Sequence, residues 1–257
     1  MSSVKARSSF YTIVLSGGVG SRMQAGHPKQ FLTLAGEPVL THSLTAFFQW
    51  GIAAPLMLVC PAEYMQTSAD LIALHLPQYK SDIYLVEGGA SRHQSYLNGL
   101  HGLLEHLGRA QSEEARADAI VLIHDAARPL VQAIELDRLA ALFQDQHCQI
   151  GSLALPQVDT LVEFDPQTHR HTRTLDREQV MAVKTPQAIR LLTAQKTAAV
   201  PDKESYTDLL SFAKDLGLSG YLAQAEPANI KLTRPGDLEL LAFYREQIAA
   251  HGAGQSL

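Results

Sequence analysis

Residues 11–23 read YTIVLSGGVGSRM, in which a short apolar and β-branched run passes directly into a glycine-rich loop. The run Tyr11–Leu15 is too short for a helix and has the composition of a buried strand. Open α/β sheets bind their ligands beyond the carboxyl ends of their strands, which is where this loop lies. Glycines there allow backbone N–H groups to approach an anion closely. The stretch therefore predicts a first strand followed by an anion-binding loop.

Three more runs of this kind follow along the chain, at Leu56–Cys60, Ile83–Val86 and Ala119–Ile123. Segments with helical spacing separate or follow them, and such alternation is typical of a mostly parallel α/β sheet. The predicted helices lie near Val39–Trp50, Glu63–Leu76, Arg92–Leu107 and Ala133–Gln146.

The second half of the chain continues this pattern after one interruption. Residues 157–177 are polar and have little apolar periodicity, so they cannot bury themselves well against their own domain. Their length and polarity fit a disordered loop and an arm that packs on another subunit equally well. Strands are predicted at Ile150–Leu155, Val180–Lys184 and Gly220–Ala225, and helices at Ile189–Val200, Tyr206–Leu216 and Pro235–Ala250. We expect one domain over residues 1–257, with the polar segment as an excursion from it.

The composition is that of an ordinary globular protein, with 46% hydrophobic and 18% charged residues among 257. A formal net charge of -5 argues against non-specific binding of nucleic acid. Cys60 and Cys148 have no CxxC partner, so neither a disulfide framework nor a structural zinc site is predicted. The first residues are polar and the apolar run after them is shorter than a signal-peptide core. We therefore expect a cytoplasmic protein without a membrane partner.

The glycine loop is followed by two cations, Arg22 and Lys29. The loop fits neither the phosphate-loop pattern, which requires GK[ST], nor the dinucleotide pattern, which requires a third glycine where Met23 stands. A surface turn with two solvated basic residues is the alternative interpretation. The position after the first strand and the two positive charges together favour phosphate binding.

Six motifs occur in an order that resembles the cytidylyltransferases that join CTP to a polyol phosphate, best represented by the 2-C-methyl-D-erythritol 4-phosphate cytidylyltransferase family. The resemblance covers about the whole chain. The motifs are SGGVGSRM at 16–23 with PKQ at 28–30, GGASR at 88–92 with Ser95, HDAARP at 124–129, DT at 159–160, TPQ at 185–187, and NIKLTRP at 229–235. The glycine loop alone would be a weak signal, because many nucleotidyltransferases share it.

The resemblance implies a fold of the nucleotide-diphospho-sugar transferase type: a Rossmann-like, mostly parallel sheet with helices on both faces and a protruding β-arm. It implies transfer of CMP from CTP to 2-C-methyl-D-erythritol 4-phosphate, with release of pyrophosphate, in non-mevalonate isoprenoid biosynthesis. Such a reaction needs fixed cations and Mg²⁺ rather than a catalytic triad, since its nucleophile is already an anion. The metal ligands stay open, with Mg²⁺ held mainly by the phosphates of CTP and Asp125 as the candidate protein ligand.

The resemblance also assigns residues to the site. The catalytic residues are Arg22, Lys29, Arg177 and Lys231. The nucleotide-binding residues are Ser16, Gly17, Gly18, Gly20, Gly89, Ala90, Ser95, Asp125 and Ala126. The substrate-binding residues are Asp125, Arg128, Thr160, Thr185, Arg177 and Lys231. Because Thr160 and Arg177 bracket the polar segment and reach the neighbouring subunit's substrate in this family, the resemblance favours an arm exchanged within a homodimer.

Three positions depart from the family pattern. The loop begins Ser16-Gly17-Gly18 where Ala-Ala-Gly is frequent, while Ala90 and the pair 209–210 stand where acidic residues are frequent. The Gly17-Gly18 pair also occurs in pentitol-phosphate cytidylyltransferases, which make CDP-ribitol for wall or capsule polymers, and this is the alternative enzymatic function. The stretches ARP at 127–129 and TRP at 233–235 favour the isoprenoid enzyme.

An alternative of another class is a non-catalytic nucleotide-binding subunit. Four charged residues argue against it, because a chain without catalysis has no physical need to keep groups that repel each other or must be desolvated. These residues are Arg22, Lys29, Asp125 and Lys231.

Overall fold

The computed structural model describes residues 9–17, 28–110, 118–198, 200, 203 and 206–253. Three of the predicted site residues, Gly18, Gly20 and Arg22, lie outside the described residues.

Strands and helices alternate along the described part of the chain. The strands are β1 (Phe10–Leu15), β2 (Thr33–Leu34), β3 (Glu37–Pro38), β4 (Leu56–Cys60), β5 (Ile83–Glu87), β6 (Ile120–Asp125), β7 (Ile150–Pro156), β8 (Val162–Phe164), β9 (His171–Thr174), β10 (Met181–Arg190) and β11 (Tyr221–Gln224). The α-helices are α1 (Val39–Trp50), α2 (Met65–His75), α3 (Arg92–Ala110), α4 (Ala133–Leu142), α5 (Leu191–Thr197), α6 (Leu209–Ala213) and α7 (Gly236–Ala253). Among the helices described here, none combines the length and apolarity that crossing a membrane requires.

A seven-stranded sheet forms the centre of the molecule, in the order β11-β7-β10-β6-β1-β4-β5. Its neighbouring strands are parallel except at β10, which runs antiparallel to both β6 and β7. This confirms the predicted mostly parallel α/β sheet. Leu15 at the end of β1 pairs with Asp125 at the end of β6, so the two carboxyl ends lie side by side.

Helices cover both faces of the sheet because consecutive strand residues point to opposite sides. On one face, Val14 and Leu58 belong to a core cluster with side chains of α1, α2 and α4. On the other face, Ile13 and Val59 belong to a cluster with side chains of α3, α5 and α6. Helix α3 lies so close to the sheet that a Cβ on Gly99 would be 2.6 Å from a methyl group of Ile13. A larger residue there would push the helix off its strands.

Strand β10 is longer than predicted. The sequence pattern predicts that this strand ends at Lys184, before Thr185 and Pro186, whereas the structure continues it to Arg190. A proline is tolerated inside a sheet only at an edge or a bulge. Strand β10 supplies a bulge, because its register with β7 shifts between Val183 and Gln187.

The two helices after β10 are shorter than predicted. The predicted helix Ile189–Val200 begins only at Leu191, since the two residues before it still pair in the sheet. The predicted helix Tyr206–Leu216 is the short α6 followed by a 3₁₀ turn at Lys214–Leu216. Asp208 sets its start, because its carboxylate accepts a hydrogen bond from the backbone N–H of Ser211.

The polar segment 157–177 forms a hairpin rather than a structureless loop. Strands β8 and β9 pair antiparallel, and every residue of both strands is exposed. The exposed side chains include Val158, at 82% of its full accessibility, and Phe164, at 54%. The structure thus has the predicted β-arm, and apolar side chains lie on its surface.

Candidate active site

A cavity of about 290 Å³ opens where β1 and β6 end. Four segments contribute to its wall: the end of β1 with the loop after it, the turn before α3, the end of β6, and the segment before α7. The lining residues are Leu15, Ser16, Gly17, Lys29, Gln30, Gly89, Ala90, Ser91, Arg92, Ser95, Asp125, Ala126, Ala127 and Lys231.

The wall after β1 is held by hydrogen bonds to the main chain of Ser16. Its N–H donates to Val59 O at 2.7 Å, and its carbonyl accepts from Gln30 Nε2 at 2.9 Å. Gln30 is buried, with 2% of its surface exposed. Lys29 directly precedes Gln30 in a 3₁₀ turn, so the same bond holds the turn that brings Lys29 to the cavity wall.

The second wall is the amino end of α3, where orphan N–H groups and the helix dipole favour anions. Ser91 Oγ accepts from Gln94 N at 2.9 Å and so satisfies one of these N–H groups. Ser95 Oγ accepts from Gly89 N at 3.0 Å and donates to Ser91 O at 2.9 Å, which fixes the turn. A Cβ on Gly89 would lie 2.1 Å from Gln94 Cγ, so this turn requires glycine.

Asp125 lies between two cations at the end of β6. Arg92 Nη2 is 3.2 Å from its Oδ1, and Lys231 Nζ is 2.6 Å from its Oδ2. Burial raises the pKa of the Asp125 carboxyl, but the charges of Arg92 and Lys231 outweigh this effect and hold the pKa well below its usual range. The group is therefore an anion at neutral pH, with one basic partner on each oxygen.

Lys231 reaches this position because the chain before α7 is anchored on both sides of it. Leu232 N donates to Ala127 O at 2.8 Å. The Leu232 side chain is fully buried in a cluster that includes Leu241 of α7. Lys231 thus lies beside a buried carboxylate.

Arg128 and Thr185 lie beneath the cavity and do not line it. Arg128 is buried and its Nη1 donates to Asn229 O at 3.0 Å. Asn229 in turn donates from Nδ2 to Glu135 Oε1 at 2.9 Å and to Thr185 O at 3.0 Å. The network connects the ends of β6 and β10 to the segment that carries Lys231.

The described residues include no group of three or more His, Cys, Asp or Glu side chains arranged to hold a metal ion. Asp125 is the carboxylate in the cavity wall, and both of its oxygens already have basic partners. A metal ion at this site would therefore take most of its ligands from a bound molecule.

Comparison with known proteins identifies the arrangement. The family model for 2-C-methyl-D-erythritol 4-phosphate cytidylyltransferase matches residues 10–247. The chain belongs to this family. A curated cytidylyltransferase of this name from Leptospira borgpetersenii is 35% identical over 246 residues, which cover 96% of this chain and 97% of that protein. One from Haemophilus influenzae is 34% identical over 238 residues, covering 92% and 96%.

Solved structures agree with the fold. The 4-diphosphocytidyl-2C-methyl-D-erythritol synthase from Anaerococcus prevotii superposes with a TM-score of 0.72 at 20% identity, covering 93% of this chain and 99% of its own. The 2-C-methyl-D-erythritol 4-phosphate cytidylyltransferase from Thermus thermophilus superposes with a TM-score of 0.65 at 24% identity, covering 91% and 97%. At these identities the likeness concerns the fold.

The structure brings most of the residues predicted from the family resemblance together. Those in the cavity wall are Ser16, Gly17, Lys29, Gly89, Ala90, Ser95, Asp125, Ala126 and Lys231. Thr160 and Arg177 are on the arm and outside the cavity wall, and the Arg177 guanidinium donates to Val158 O of the same arm at 3.2 Å. The family roles of all these residues stay predictions, as do those of Arg128, Thr185, Gly18, Gly20 and Arg22.

Five residues without a predicted role also line the cavity, and two of them, Arg92 and Gln30, make hydrogen bonds that hold it together. Arg92 pairs with Asp125, and Gln30 holds the backbone of Ser16. Arg92 lies within the motif GGASR and Gln30 within PKQ, so the motifs could have indicated from sequence that both residues belong to the site. Their partners are distant in sequence and could not be identified from it.

Proposed function

We propose that this protein transfers the cytidylyl group of CTP to 2-C-methyl-D-erythritol 4-phosphate and releases pyrophosphate. The observation that carries the proposal is the cavity itself, which the cations Lys29, Arg92 and Lys231 line together with the glycine turns at Gly17 and Gly89. The family match supports the same reaction.

In this reaction an oxygen of the polyol phosphate attacks the α-phosphorus of CTP. A new P–O bond forms, the bond between the α-phosphorus and the bridging oxygen breaks, and pyrophosphate leaves with the electron pair. The attacking oxygen is already anionic, so no general base is required. The barrier lies in bringing two polyanions together, which positive side chains fixed in advance lower.

The division of the cavity follows from its walls. We assign the cytosine and ribose to the side lined by Ser16, Gly17, Gly89, Ala90 and Ser95, where small residues let the base lie against backbone. Gly18, Gly20 and Ala126 complete this side in the proposal, and Asp125 lies at its border with the polyol phosphate.

We assign the charges to the two phosphate groups. Arg22 and Lys29 act on the triphosphate and stabilise the charge that develops on the α-phosphorus. Lys231 holds the polyol phosphate, with Arg128 and Thr185 supporting it from beneath the cavity. Ala90 cannot make the side-chain contact to the base that an acidic residue at this position would make.

We also propose Mg²⁺ as the metal of the reaction. Mg²⁺ in nucleotide sites keeps several waters and is bound by one or two carboxylates together with substrate phosphates. A single carboxylate in the wall, Asp125, fits such a site. The ion would neutralise phosphate charge, and CTP would hold it for the most part.

The cytoplasm is the compartment that we propose. Cys60 and Cys148 are both buried free thiols in the structure, as expected of a protein in a reducing environment.

The substrate is tested by measuring pyrophosphate release with CTP, Mg²⁺ and two polyol phosphates side by side. We expect kcat/KM for 2-C-methyl-D-erythritol 4-phosphate to exceed that for ribitol 5-phosphate by at least about tenfold, the range that one branch methyl in a pocket can supply. A preference for ribitol 5-phosphate would place the protein in the synthesis of wall or capsule polymers instead. Release with neither substrate would contradict the proposed function.

We further propose a homodimer in which the arm of each subunit completes the partner's site. The exposed Val158, Val162 and Phe164 support this, because burial against a second subunit would offset the entropy of ordering a polar hairpin. Arg177 and Thr160 then reach the substrate across the interface.

Mixing two inactive variants tests the exchanged arm. In a hybrid of a Lys29→Ala chain and an Arg177→Ala chain, one site carries both lesions and the other carries neither. Random assembly at equal amounts restores about a quarter of the intact sites. We expect the mixture to regain activity in that proportion once subunits have exchanged. If exchange is demonstrated by mass spectrometry and activity stays at the level of the parents, Arg177 acts within its own subunit.

A further inference from the structure

A buried chain of hydrogen bonds runs beneath Asp125 and involves His124, a residue to which the proposed reaction gives no role. The His124 ring is fully buried at the end of β6. Its Nδ1 lies 3.1 Å from Thr185 Oγ1, and its Nε2 lies 3.0 Å from Arg128 O. Thr185 Oγ1 also lies 3.1 Å from the backbone N of Asp125.

The partners of His124 determine where each proton lies. A carbonyl oxygen only accepts, so Arg128 O requires a proton on Nε2. The Thr185 hydroxyl oxygen already accepts from the N–H of Asp125, so its own proton needs an acceptor, which the ring offers at Nδ1. Nδ1 therefore has a free lone pair, and the Thr185 hydroxyl donates to it.

The proton on His124 Nε2 also fixes the direction of both hydrogen bonds of the Thr185 hydroxyl. Its proton is given to His124 Nδ1, and its oxygen accepts from the N–H of Asp125. A phosphate oxygen also needs a donor, so Thr185 could bind one directly only by giving up His124. In the observed arrangement Thr185 instead fixes the main chain of Asp125.

Asp125 in turn holds two cations at the cavity. Each of its carboxylate oxygens has one basic partner, Arg92 or Lys231. The bulge that interrupts the pairing of β10 with β7 lies at Thr185 and its neighbours, while Gln187 pairs with Ile123 on the other side. The strand irregularity that the sequence analysis missed thus lies where Thr185 meets Asp125.

We propose that His124 is a positioning residue for nucleotidyl transfer: by accepting the Thr185 hydroxyl proton, it orients Asp125 and, through it, the cations that face the phosphates. This inference rests on the proposed function for its activity measurements. The tautomer of the His124 ring tests it independently of activity.

Two substitutions separate the two hydrogen bonds of the ring. An asparagine amide can place an oxygen near the position of Nδ1, so His124→Asn keeps an acceptor for Thr185 and loses the bond to Arg128 O. A glutamine amide reaches the position of Nε2, so His124→Gln keeps the donor to Arg128 O and loses the acceptor. Thr185→Val removes the same bond from the other side with little change in shape, and it also removes the acceptor of the Asp125 N–H.

We expect His124→Gln and Thr185→Val to lower kcat by about tenfold or more, because small displacements of positioning groups are costly in a transition state. His124→Asn should retain kcat within about threefold of the wild type, and KM for CTP should stay within about threefold in all variants. The double variant His124→Gln/Thr185→Val should lose no more than Thr185→Val alone, since Thr185→Val already removes the bond that His124→Gln breaks.

Leu139→Ala is the matched control for stability. Leu139 is fully buried in the same core and lies outside the cavity, so this variant lowers Tm without touching the hydrogen-bond chain. We expect its kcat to equal that of the wild type below its Tm. If kcat follows Tm across Leu139→Ala, His124→Asn and His124→Gln alike, the role of His124 is structural and the proposal is overturned.

The tautomer distinguishes failure of this inference from failure of the proposed function. In ¹⁵N-histidine-labelled protein, the ring signals absent from His124→Asn belong to His124. We expect them to report a neutral ring with the proton on Nε2, whether or not the enzyme accepts the polyol phosphate. A proton on Nδ1 would overturn the inference, and wild-type protein without pyrophosphate release would overturn the function alone.

Discussion

Lys29→Ala is expected to lower kcat by about 10²-fold or more, because removing one preorganised donor of positive charge from a transition state typically costs this much. Lys29 lies at the cavity wall on a 3₁₀ turn whose next residue, Gln30, is bonded to the carbonyl of Ser16. The turn that carries Lys29 is thus fixed by a hydrogen bond within the protein itself. Arg22→Ala, in the part of the loop outside the described residues, should have an effect of the same size.

Both variants should keep their fold, since a loop cation adds little to the core. Stopped-flow or steady-state measurement of pyrophosphate release gives kcat, and thermal unfolding gives Tm. Lys80→Ala is a matched control, because Lys80 also lies on a 3₁₀ turn but is absent from the cavity wall. Lys29→Arg, which keeps the charge, should recover part of the loss. Near-normal turnover in Lys29→Ala and Arg22→Ala would refute the mechanism.

The three central parallel strands, β1, β4 and β6, were predictable from sequence because they are buried on both faces. Such strands appear as short continuous apolar runs, and the predicted Leu56–Cys60 agrees with β4 at both ends. Helix α1 was equally predictable, since Gly51 in the left-handed region ends it after Trp50. In both elements the local pattern and the tertiary environment favour the same structure.

Strand β10 was harder to predict because its local signal contradicts its environment. Pro186 ends a strand by the local rules, while pairing with β6 and β7 carries the chain on to Arg190. The strands of the arm were hard to predict for a different reason. Its strands have no buried face in the described structure, so hydrophobic alternation is missing and only backbone pairing defines them.

The candidate site likewise has residues that the sequence predicts and contacts that it does not. Glycines and charged residues in local motifs identified most of the cavity wall, because the carboxyl ends of β1 and β6 must meet at one edge of the sheet. The pairing of Asp125 with Arg92 and Lys231 depends on contacts over 33 and 106 residues. The burial of Arg128 beneath the cavity likewise depends on Asn229, which is 101 residues away. No spacing rule covers such distances.

Lys231→Met is expected to lower kcat/KM for the polyol phosphate by about 10²-fold, while KM for CTP changes by no more than about threefold. Methionine keeps most of the length and apolar body of lysine and removes its charge. The Lys231 side chain is 39% exposed and lines the cavity while its Nζ bonds Asp125, so we expect it to meet a phosphate as well. Loss of the charge removes attraction for that phosphate and one partner of the buried carboxylate.

The second effect must be separated from the first, because a carboxylate that loses a cation destabilises the fold as well as the site. Arg92 still pairs with Asp125 Oδ1 in Lys231→Met, which limits the loss of stability, and Tm measures what remains. Lys231→Arg restores the charge and should regain part of kcat/KM, whereas Lys196→Met, an exposed lysine of α5 outside the cavity wall, should change neither quantity. A rise in KM for CTP with unchanged kinetics for the polyol phosphate would assign Lys231 to the triphosphate instead. Unchanged kinetics for both substrates would show that its charge serves only to neutralise Asp125.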